Sequence, residues 1–478
     1  MPITNLLPLA PFFVLSGTII LSLFTSAFSI KTSNTTYGLT LAGIAVSFGI
    51  LFLPIPYAQI TPLIAMDTYA AYYLGVILLS SFGIALLSHD YLPLKKTEAT
   101  HEYYLILLLA TLGACVLVAS THFASFLLGL EILSISLYAL ISYSREDLRG
   151  LEAGTKYLVL AGTSSALLLF GMALTYASTG TLEFGRLANS LPQNPNLQSV
   201  LSLGGAMILT GIGFKLALAP FHIWSPDIYE GAPAPIAAFV ATVSKGSIFA
   251  LLLRFLLALR LAPDSRVFSL LAILASASIL IGNLTALRQS NIKRILAYSS
   301  TAHLGYLLVP ILAGVSSGLH ASTFYLVSYM ITSLIAFSVI SLLSTPERDA
   351  DQISDYLGLF WKRPGVATLF SASLLSLAGM PLTLGFVGKL YLITAAVNSA
   401  LWVPVAILIG GSAIGLYYYL KIILSVFTPS PDSNLVQKPF SIPARSTLLI
   451  LSGALLGLGI YPSPLLMLIQ RTLENLPQ

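Results

Sequence analysis

The chain has 478 residues, of which 56% are hydrophobic and only 9% charged. Soluble domains carry about 25% charged residues, so a soluble enzyme, a disordered chain and a nucleic-acid binder are excluded. The formal charge of +5 contains no long basic cluster and is spread over many short segments, the kind of excess that membrane topology asks for.

A helix that crosses a bilayer needs about 20 mostly apolar residues. In chain order, fourteen runs meet that demand, centred in 8–29, 37–53, 69–87, 103–120, 123–143, 154–177, 201–220, 235–258, 267–287, 292–313, 319–343, 366–392, 402–427 and 446–468. Numbered in that order they are spans 1 to 14. The first has no basic residue before it and is too long for a cleaved signal peptide, so it is expected to be retained. The second is short and runs into Pro54 and Pro56. No connection is long enough for a separate soluble domain; the longest, around 179–200 and 345–364, hold about 20 residues. A single cysteine, Cys115, excludes disulfides, thiolate metal sites and iron–sulfur clusters. Six histidines are too few and too scattered for a haem array.

Lys and Arg in the connections set the orientation. The odd-numbered connections hold Lys31, Lys95, Lys96, Arg145, Arg149, Lys156, Arg288, Lys293, Arg294, Arg348, Lys362, Arg363, Lys438 and Arg445. The other side holds only Arg186, Arg260, Arg266 and Arg471. This asymmetry predicts odd connections in the cytoplasm and both termini outside.

Five basic residues remain inside spans: Lys215, Lys245, Arg254, Lys389 and Lys421. A charge at mid-bilayer costs at least about 2.5–3.5 kcal/mol on insertion scales, so each needs a reason. Arg254 lies near the end of span 8 and is expected to snorkel to the outer surface. Lys421 is close enough to the end of span 13 for snorkelling and function to stand equally. Lys215, Lys245, Lys389 and the span-5 glutamate Glu131 lie deeper. Pairing cannot satisfy one carboxylate and three ammonium groups together, so a relay facing a hydrated interior is favoured over an inert ion pair. Burial lowers a lysine's pKa and a nearby carboxylate raises it, so such a lysine can load and release a proton, which an arginine cannot. His303 is the one histidine deep in a span and is a relay candidate beside the plainer reading of a hydrogen-bonded core residue. His222, near the cytoplasmic end of span 7, is a further candidate or a loop anchor. Asp227 and Glu230 read as solvated loop charges.

Spans 7 and 12 carry Pro220 and Pro381 inside otherwise helical runs. Proline removes a helical hydrogen bond, and in lipid the freed carbonyls must find protein or water partners. Each break has a lysine within eight residues. Spans 4–8 and 9–13 form two five-span units, and an odd number inverts the second relative to the first. Within the units, spans 5 and 10 carry Glu131 and His303, spans 7 and 12 the breaks with their lysines, and spans 8 and 13 Lys245 and Lys421. The expected fold is therefore an all-α membrane protein of about fourteen transmembrane helices. The N-terminal three-helix segment is 1–100, the repeats are 101–260 and 261–430, and a C-terminal helix lies in 431–478. Two ammonium groups about 7 Å apart repel by roughly 2–2.5 kcal/mol at an effective dielectric near 20, so a proton arriving at one site can eject one at the next.

Four motifs carry a resemblance. They are Leu130-Glu131-Ile132-Leu133-Ser134-Ile135-Ser136-Leu137-Tyr138; Gly213-Phe214-Lys215 with Ala219-Pro220-Phe221-His222-Ile223-Trp224-Ser225-Pro226-Asp227-Ile228-Tyr229-Glu230-Gly231-Ala232-Pro233; Lys293-Arg294-Ile295-Leu296-Ala297-Tyr298-Ser299-Ser300; and Gly385-Phe386-Val387-Gly388-Lys389. Together they resemble the antiporter-like, proton-conducting membrane transporter family over nearly the whole chain, in its N-type branch from bacterial proton-pumping NADH:quinone oxidoreductase, respiratory complex I. Lys389 where the M-type has glutamate, and an end at Gln478 without the lateral helix of the L-type, favour that branch.

The resemblance implies one proton pathway in this subunit. Glu131 would match the span-5 glutamate, Lys215 its partner lysine, Lys245 the lysine linked to the cytoplasmic half-path and Lys389 the terminal lysine of the periplasmic half-path. It implies a bacterial inner-membrane location and other membrane subunits of complex I as partners, with the peripheral redox arm reached indirectly. No cofactor is expected in this chain; NADH, flavin, iron–sulfur clusters and quinone would belong to partner subunits. A cation/proton antiporter or membrane hydrogenase subunit, and a non-conducting scaffold, remain the alternatives.

Overall fold

The structure, a computed structural model, describes residues 3–28, 33–53, 58–59, 61–95, 100–144, 146–190, 194–261, 265–429 and 441–473. Lys31, Pro54, Pro56, Lys96, Arg145, Lys438 and Gln478 lie outside them. The first helices are α1 (Ala10–Phe28), α2 (Ser33–Ile50), α3 (Thr68–Leu94), α4 (Thr100–Ala119), α5 (Phe123–Ile141), α6 (Leu148–Thr179) and the short α7 (Phe184–Leu187). Then come α8 (Pro195–Lys215), α9 (Trp224–Gly231), α10 (Ala234–Phe239), α11 (Lys245–Leu259), α12 (Arg266–Ala286), α13 (Ile292–Leu308) and α14 (Val315–Leu343). The rest are α15 (Leu359–Lys362), α16 (Pro364–Ala378), α17 (Leu384–Asn398), α18 (Trp402–Phe427), α19 (Ile442–Ile460) and α20 (Ser463–Leu473).

Among the described residues, twelve helical segments are long and apolar enough to cross a membrane. Two shorter apolar helices, α16 and α17, are the halves of the broken span 12. The 18-residue α2 is not among the twelve; its first half is rich in Ser, Thr and Gly. One small departure from an all-α fold precedes α3, where Ala58–Gln59 pairs antiparallel with Ala65–Met66. Asp67 then caps α3 by accepting from the Ala70 amide at 2.7 Å.

Lipid offers no hydrophobic drive for helix association, so close backbone approach at small residues does that work. A Cβ on Gly113 would stand 2.6 Å from the Leu133 amide, across the α4–α5 contact. A Cβ on Gly282 would stand 2.7 Å from the Tyr298 carbonyl, across the α12–α13 contact. Here α4 packs on α5 and α11, and α12 packs on α13 and α18. Spans 4 and 9, the first of each expected five-span unit, thus each touch the second and fifth span of that unit. The central element is span 8, formed by α10, a π-helical stretch Val240–Ser244 and α11 as one continuous segment. The most apolar stretch of this segment is buried throughout. π-Helical turns inside helices are frequent at functional sites, and this one ends on Lys245.

Several boundaries differ from the sequence reading. Residues 224–231, expected as a loop, form α9, packed on α6 and α13. Span 14 stops at Ile460, and α20 packs back on α3 and α14 instead of continuing it. Pro462 explains the stop, because the residue before a proline disfavours helical geometry.

The connections sort onto two faces. Residues from the third, fifth, seventh and eleventh connections line one cavity of about 500 Å³, including Lys95, Glu146, Glu230 and Asp349. The ninth joins them through Lys293, which reaches Asp349 at 2.8 Å. On the other face Asp67, Thr121, Glu183, Arg254 and Arg260 border a cavity of about 310 Å³.

Candidate functional site

The buried charges fall along the middle of the bundle, and each is positioned by a different device. Lys215 is the last residue of α8. Its Nζ donates to Ser134 Oγ at 2.8 Å and stands 6.0 Å from the Tyr157 ring. Ser134 is on α5, one turn beyond Glu131, so the two share a face. Glu131 and Lys215 are within Coulombic reach of each other without salt-bridge contact. Glu131 Oε1 is buried and accepts no hydrogen bond. The broken backbone beyond Lys215 is satisfied by others: the Trp224 indole donates to the Phe214 carbonyl at 2.9 Å, and Ser278 Oγ accepts from the Ala219 amide at 2.9 Å.

Lys245 is fully buried at the start of α11 and donates to Ser300 Oγ at 2.6 Å. Ser300, on α13, also accepts from the Tyr329 hydroxyl at 2.7 Å. The Tyr229 ring lies 5.3 Å from the Lys245 Nζ. One helical turn along α13, His303 bonds the Tyr325 hydroxyl through Nδ1 at 2.6 Å and the Tyr419 hydroxyl through Nε2 at 3.2 Å. Its ring also contacts Tyr329 at 5.3 Å and Tyr306 at 5.5 Å. Lys389 Nζ is 5.2 Å from that same Tyr306 ring. The polar residues of α13 follow its helical spacing, with Ser300, His303 and Tyr306 each three residues on. Lys245, Ser300, Tyr329, His303, Tyr306 and Lys389 therefore form a connected series of contacts.

Lys389 is held by the break in span 12. Its Nζ donates to the Leu377 carbonyl at 3.0 Å, the Ala378 carbonyl at 2.8 Å and Ser412 Oγ at 2.8 Å. These are carbonyls at the end of α16, which a continuous helix would have bonded internally. A cavity of about 230 Å³ opens beside Lys389 between α17 and α18. His222 lies in the break after Lys215, within electrostatic range of Lys245, with its ring 6.2 Å from Tyr298.

The other charges lie apart from this series. Lys421 is exposed on α18, outside the series. Arg254 reaches the cavity on the face of the even connections, where its guanidinium makes a two-pronged pair with Asp67 at 2.7 and 2.8 Å over the Tyr69 ring. Asp227 and Glu230 are not free loop charges. Asp227 pairs with Lys156 and Arg294, and Glu230 with Arg294, all at 2.8 Å. Burial pushes the Asp227 carboxyl up, but Lys156 and Arg294 outweigh it and the net shift is downward.

A second group was not singled out from sequence at all. Asp349 is buried among Lys293 Nζ at 2.8 Å, Lys95 Nζ at 3.2 Å and a donating Tyr91 hydroxyl at 2.7 Å. Burial raises its carboxyl, but the two ammonium groups and the hydrogen bonds prevail and hold it at about 2. Lys293 appeared only as a motif and loop charge. Asp349 lies more than fifty residues from it, and nothing local marks the pairing. Among the described residues no group of three or more His, Cys, Asp or Glu could hold a metal ion.

Residues 120–415 match the transmembrane family of NADH:quinone oxidoreductase and Mrp antiporters. The chain is similar to NADH-quinone oxidoreductase subunit N of Nitrosospira multiformis, 46% identical over 97% of this chain and 95% of that one. It is 44% identical to subunit N of Ectopseudomonas mendocina, over 86% of this chain and 85% of that one. Among solved structures it is similar to a chain of respiratory complex I from Thermus thermophilus with bound aureothin. That match has a TM-score of 0.82 and 32% identity, over 96% of this chain and 98% of that one.

Proposed function

The chain belongs to the NADH:quinone oxidoreductase/Mrp antiporter family, and from that membership we propose how its buried charges work. It is a proton-translocating membrane subunit of NADH–quinone oxidoreductase, of the subunit N type, and other complex I subunits are its partners. In this reading Lys245 takes protons from the face of the odd-numbered connections, which is the cytoplasm of a bacterial inner membrane. Protons then pass by Ser300, Tyr329 and His303 to Lys389 and leave on the far side. The Glu131–Lys215 couple sets the field that Lys245 feels, with His222 between them. Lys421 has no part.

The observation that carries this reading is the continuity of contacts from Lys245 through His303 to the ring under Lys389. Two five-span units of opposite orientation supply the two half-paths; the matching packing of spans 4 and 9 supports that division. NADH oxidation, flavin, iron–sulfur clusters and quinone belong to partner subunits, and the redox arm acts on this chain through its membrane neighbours.

The test uses the assembled complex in inside-out vesicles. Lys245→Ala, Lys215→Ala and Glu131→Ala should each lower NADH-driven proton uptake severalfold while the complex still assembles and copurifies with its NADH-oxidising subunits. Unchanged pumping and coupled turnover in all three would overturn the relay. Loss of assembly with loss of pumping would mark a scaffold, and sodium-dependent flux an antiporter.

A further inference from the structure

The relay reading leaves unexplained how the cavity on the odd-connection face is kept apart from Lys245. The cavity, about 500 Å³, is lined by Glu146, Asp147, Glu230, Glu347, Asp349 and Asp351 among others. Its Asp349 carboxylate is 10% exposed and receives Lys293, 1% exposed. Lys293 Nζ donates as well to the Glu230 carbonyl at 3.0 Å and the Ala232 carbonyl at 2.7 Å. Those carbonyls belong to the link between α9 and α10, where the broken span 7 turns into the span that carries Lys245. Lys293 is therefore a buried clasp tying three connections together: its own, the α9–α10 link and the Asp349 loop.

Its place on α13 gives the clasp a direction. Ser300, the acceptor for Lys245, is seven residues beyond Lys293 on the same face of the helix, about 10 Å along the axis. Ala297 lies between them and is wholly buried. Tyr229, whose ring stands over the Lys245 ammonium, immediately precedes Glu230. The Lys293–Asp349 pair thus lies between the cavity and Ser300 along α13.

Resting on the relay reading above, we infer that Lys293 and Asp349 are positioning residues of the proton intake: closed, their pair separates the cavity from Ser300 and Lys245, and opened, it admits water to them. Flanked by two ammonium groups, the Asp349 carboxylate stays ionised near neutral pH, so the pair opens by separation and not by protonation of Asp349. Lys293 works by the pairing and hydrogen bonds it makes. In this it differs from Lys245, which has to give up its proton.

The experiment places a thiol behind the clasp. Ala297→Cys is introduced into the assembled complex, and inside-out vesicles are treated with a charged methanethiosulfonate. Buried Cys115 in α4 serves as the internal reference. Asp349→Asn should speed modification of the introduced thiol about tenfold, the change that about 1.4 kcal/mol of lost pairing produces. Cys115 should stay unmodified, which a general loosening of the bundle would not allow. Lys293→Arg, which keeps the charge, should retain pumping, whereas Lys245→Arg should lose it. Should Asp349→Asn fail to assemble, Lys293→Met, which removes the other member of the pair, must raise modification instead.

Equal modification rates with and without the pair overturn the inference, as does loss of pumping in an assembled Lys293→Arg complex. Either result leaves the relay standing as long as Lys245→Ala abolishes pumping. If Lys245→Ala pumps normally, the relay itself falls.

Discussion

The two broken spans solve the same backbone problem in opposite ways. At the break in span 12 the lysine is the solution: Lys389 satisfies the carbonyls of Leu377 and Ala378 and leans on Ser412. At the break in span 7 other groups do this work, Trp224 for the Phe214 carbonyl and Ser278 for the Ala219 amide, and Lys215 reaches away to a single hydroxyl on α5. One ammonium is built into the backbone and the other is suspended beside a carboxylate. A group that holds structure is expensive to move, whereas a group held by one hydrogen bond can respond to a field. In the proposed relay the difference makes Lys389 the fixed station and Lys215 the responsive one.

The largest expected effect breaks the first arrangement. Lys389→Met leaves the Leu377 carbonyl without its donor and the Ala378 carbonyl with Ser412 alone, at about 1–3 kcal/mol for the first and about 1 kcal/mol for the second. The complex should lose thermal stability in detergent as well as pumping. Lys215→Met should be milder in the first respect and equal in the second. It removes one net hydrogen bond, about 1 kcal/mol, together with an ammonium that has no ion-pair contact. Melting temperature and proton uptake, measured on both variants, should separate them. Equal melting losses would erase the distinction between the two stations. Trp224→Phe sharpens it further. It should destabilise by about 1 kcal/mol, because the Phe214 carbonyl loses the indole and keeps only the Ala217 amide, while leaving the Lys215 ammonium on Ser134.

What could be read from the sequence follows the same physical divide. Hydrophobic length located the spans, and prolines inside apolar runs located both breaks, because both signals are local. Lys215, Lys245 and Lys389 stood out because lipid makes any interior charge conspicuous. The partners that define their surroundings are remote. Ser134 lies 81 residues from Lys215, and Tyr419 lies 116 from His303. Arg254 was assigned to water because Asp67, 187 residues away, sits at a helix end where acidic residues are unremarkable. Asp349 was overlooked and Asp227 read as solvated for a related reason: charged residues in connections read as solvated by default, and only the packed loops reveal what they hold.

The far end of the first break offers a test by pH. There α9 is fastened from outside, by Arg294 to Asp227 and Glu230 and by Lys293 to the following carbonyls and Asp349. Asp349 is held at about 2, below the ordinary 3.8. A depressed carboxyl stabilises the fold fully above its ordinary value and stops doing so as pH falls through the depressed one. The difference corresponds to about 2 kcal/mol. Asp349→Asn should therefore melt earlier than the parent at pH 7, and the gap should narrow between pH 4 and pH 2. A gap independent of pH would mean that the carboxylate's charge is not what holds the loop. No such ion-pair clasp is seen at the break in span 12 among the described residues, where Lys389 is joined by the hydroxyls of Ser412 and Ser376.

The smallest effects should have opposite signs at the two breaks. Ala217 turns with φ +57° and Gly379 with φ +85°, both in the left-handed region that burdens any residue with a Cβ. That conformation costs roughly 1–2 kcal/mol for an ordinary residue, and glycine avoids it while giving back about 0.5–1 kcal/mol through its freer unfolded chain. Ala217→Gly should then be neutral to stabilising by about 1 kcal/mol, since the break in span 7 relieves strain without disturbing Lys215. Gly379→Ala meets the same backbone penalty in reverse, and more. Its Cβ would fall 2.7 Å from Lys389 Cδ and 3.2 Å from Nζ. The lysine must shift off the Leu377 and Ala378 carbonyls, so this variant should lose stability and pumping together. A Gly379→Ala complex that melts lower but pumps normally would show that Lys389 can leave its station without harm, and the fixed member of the pair would have to be sought elsewhere.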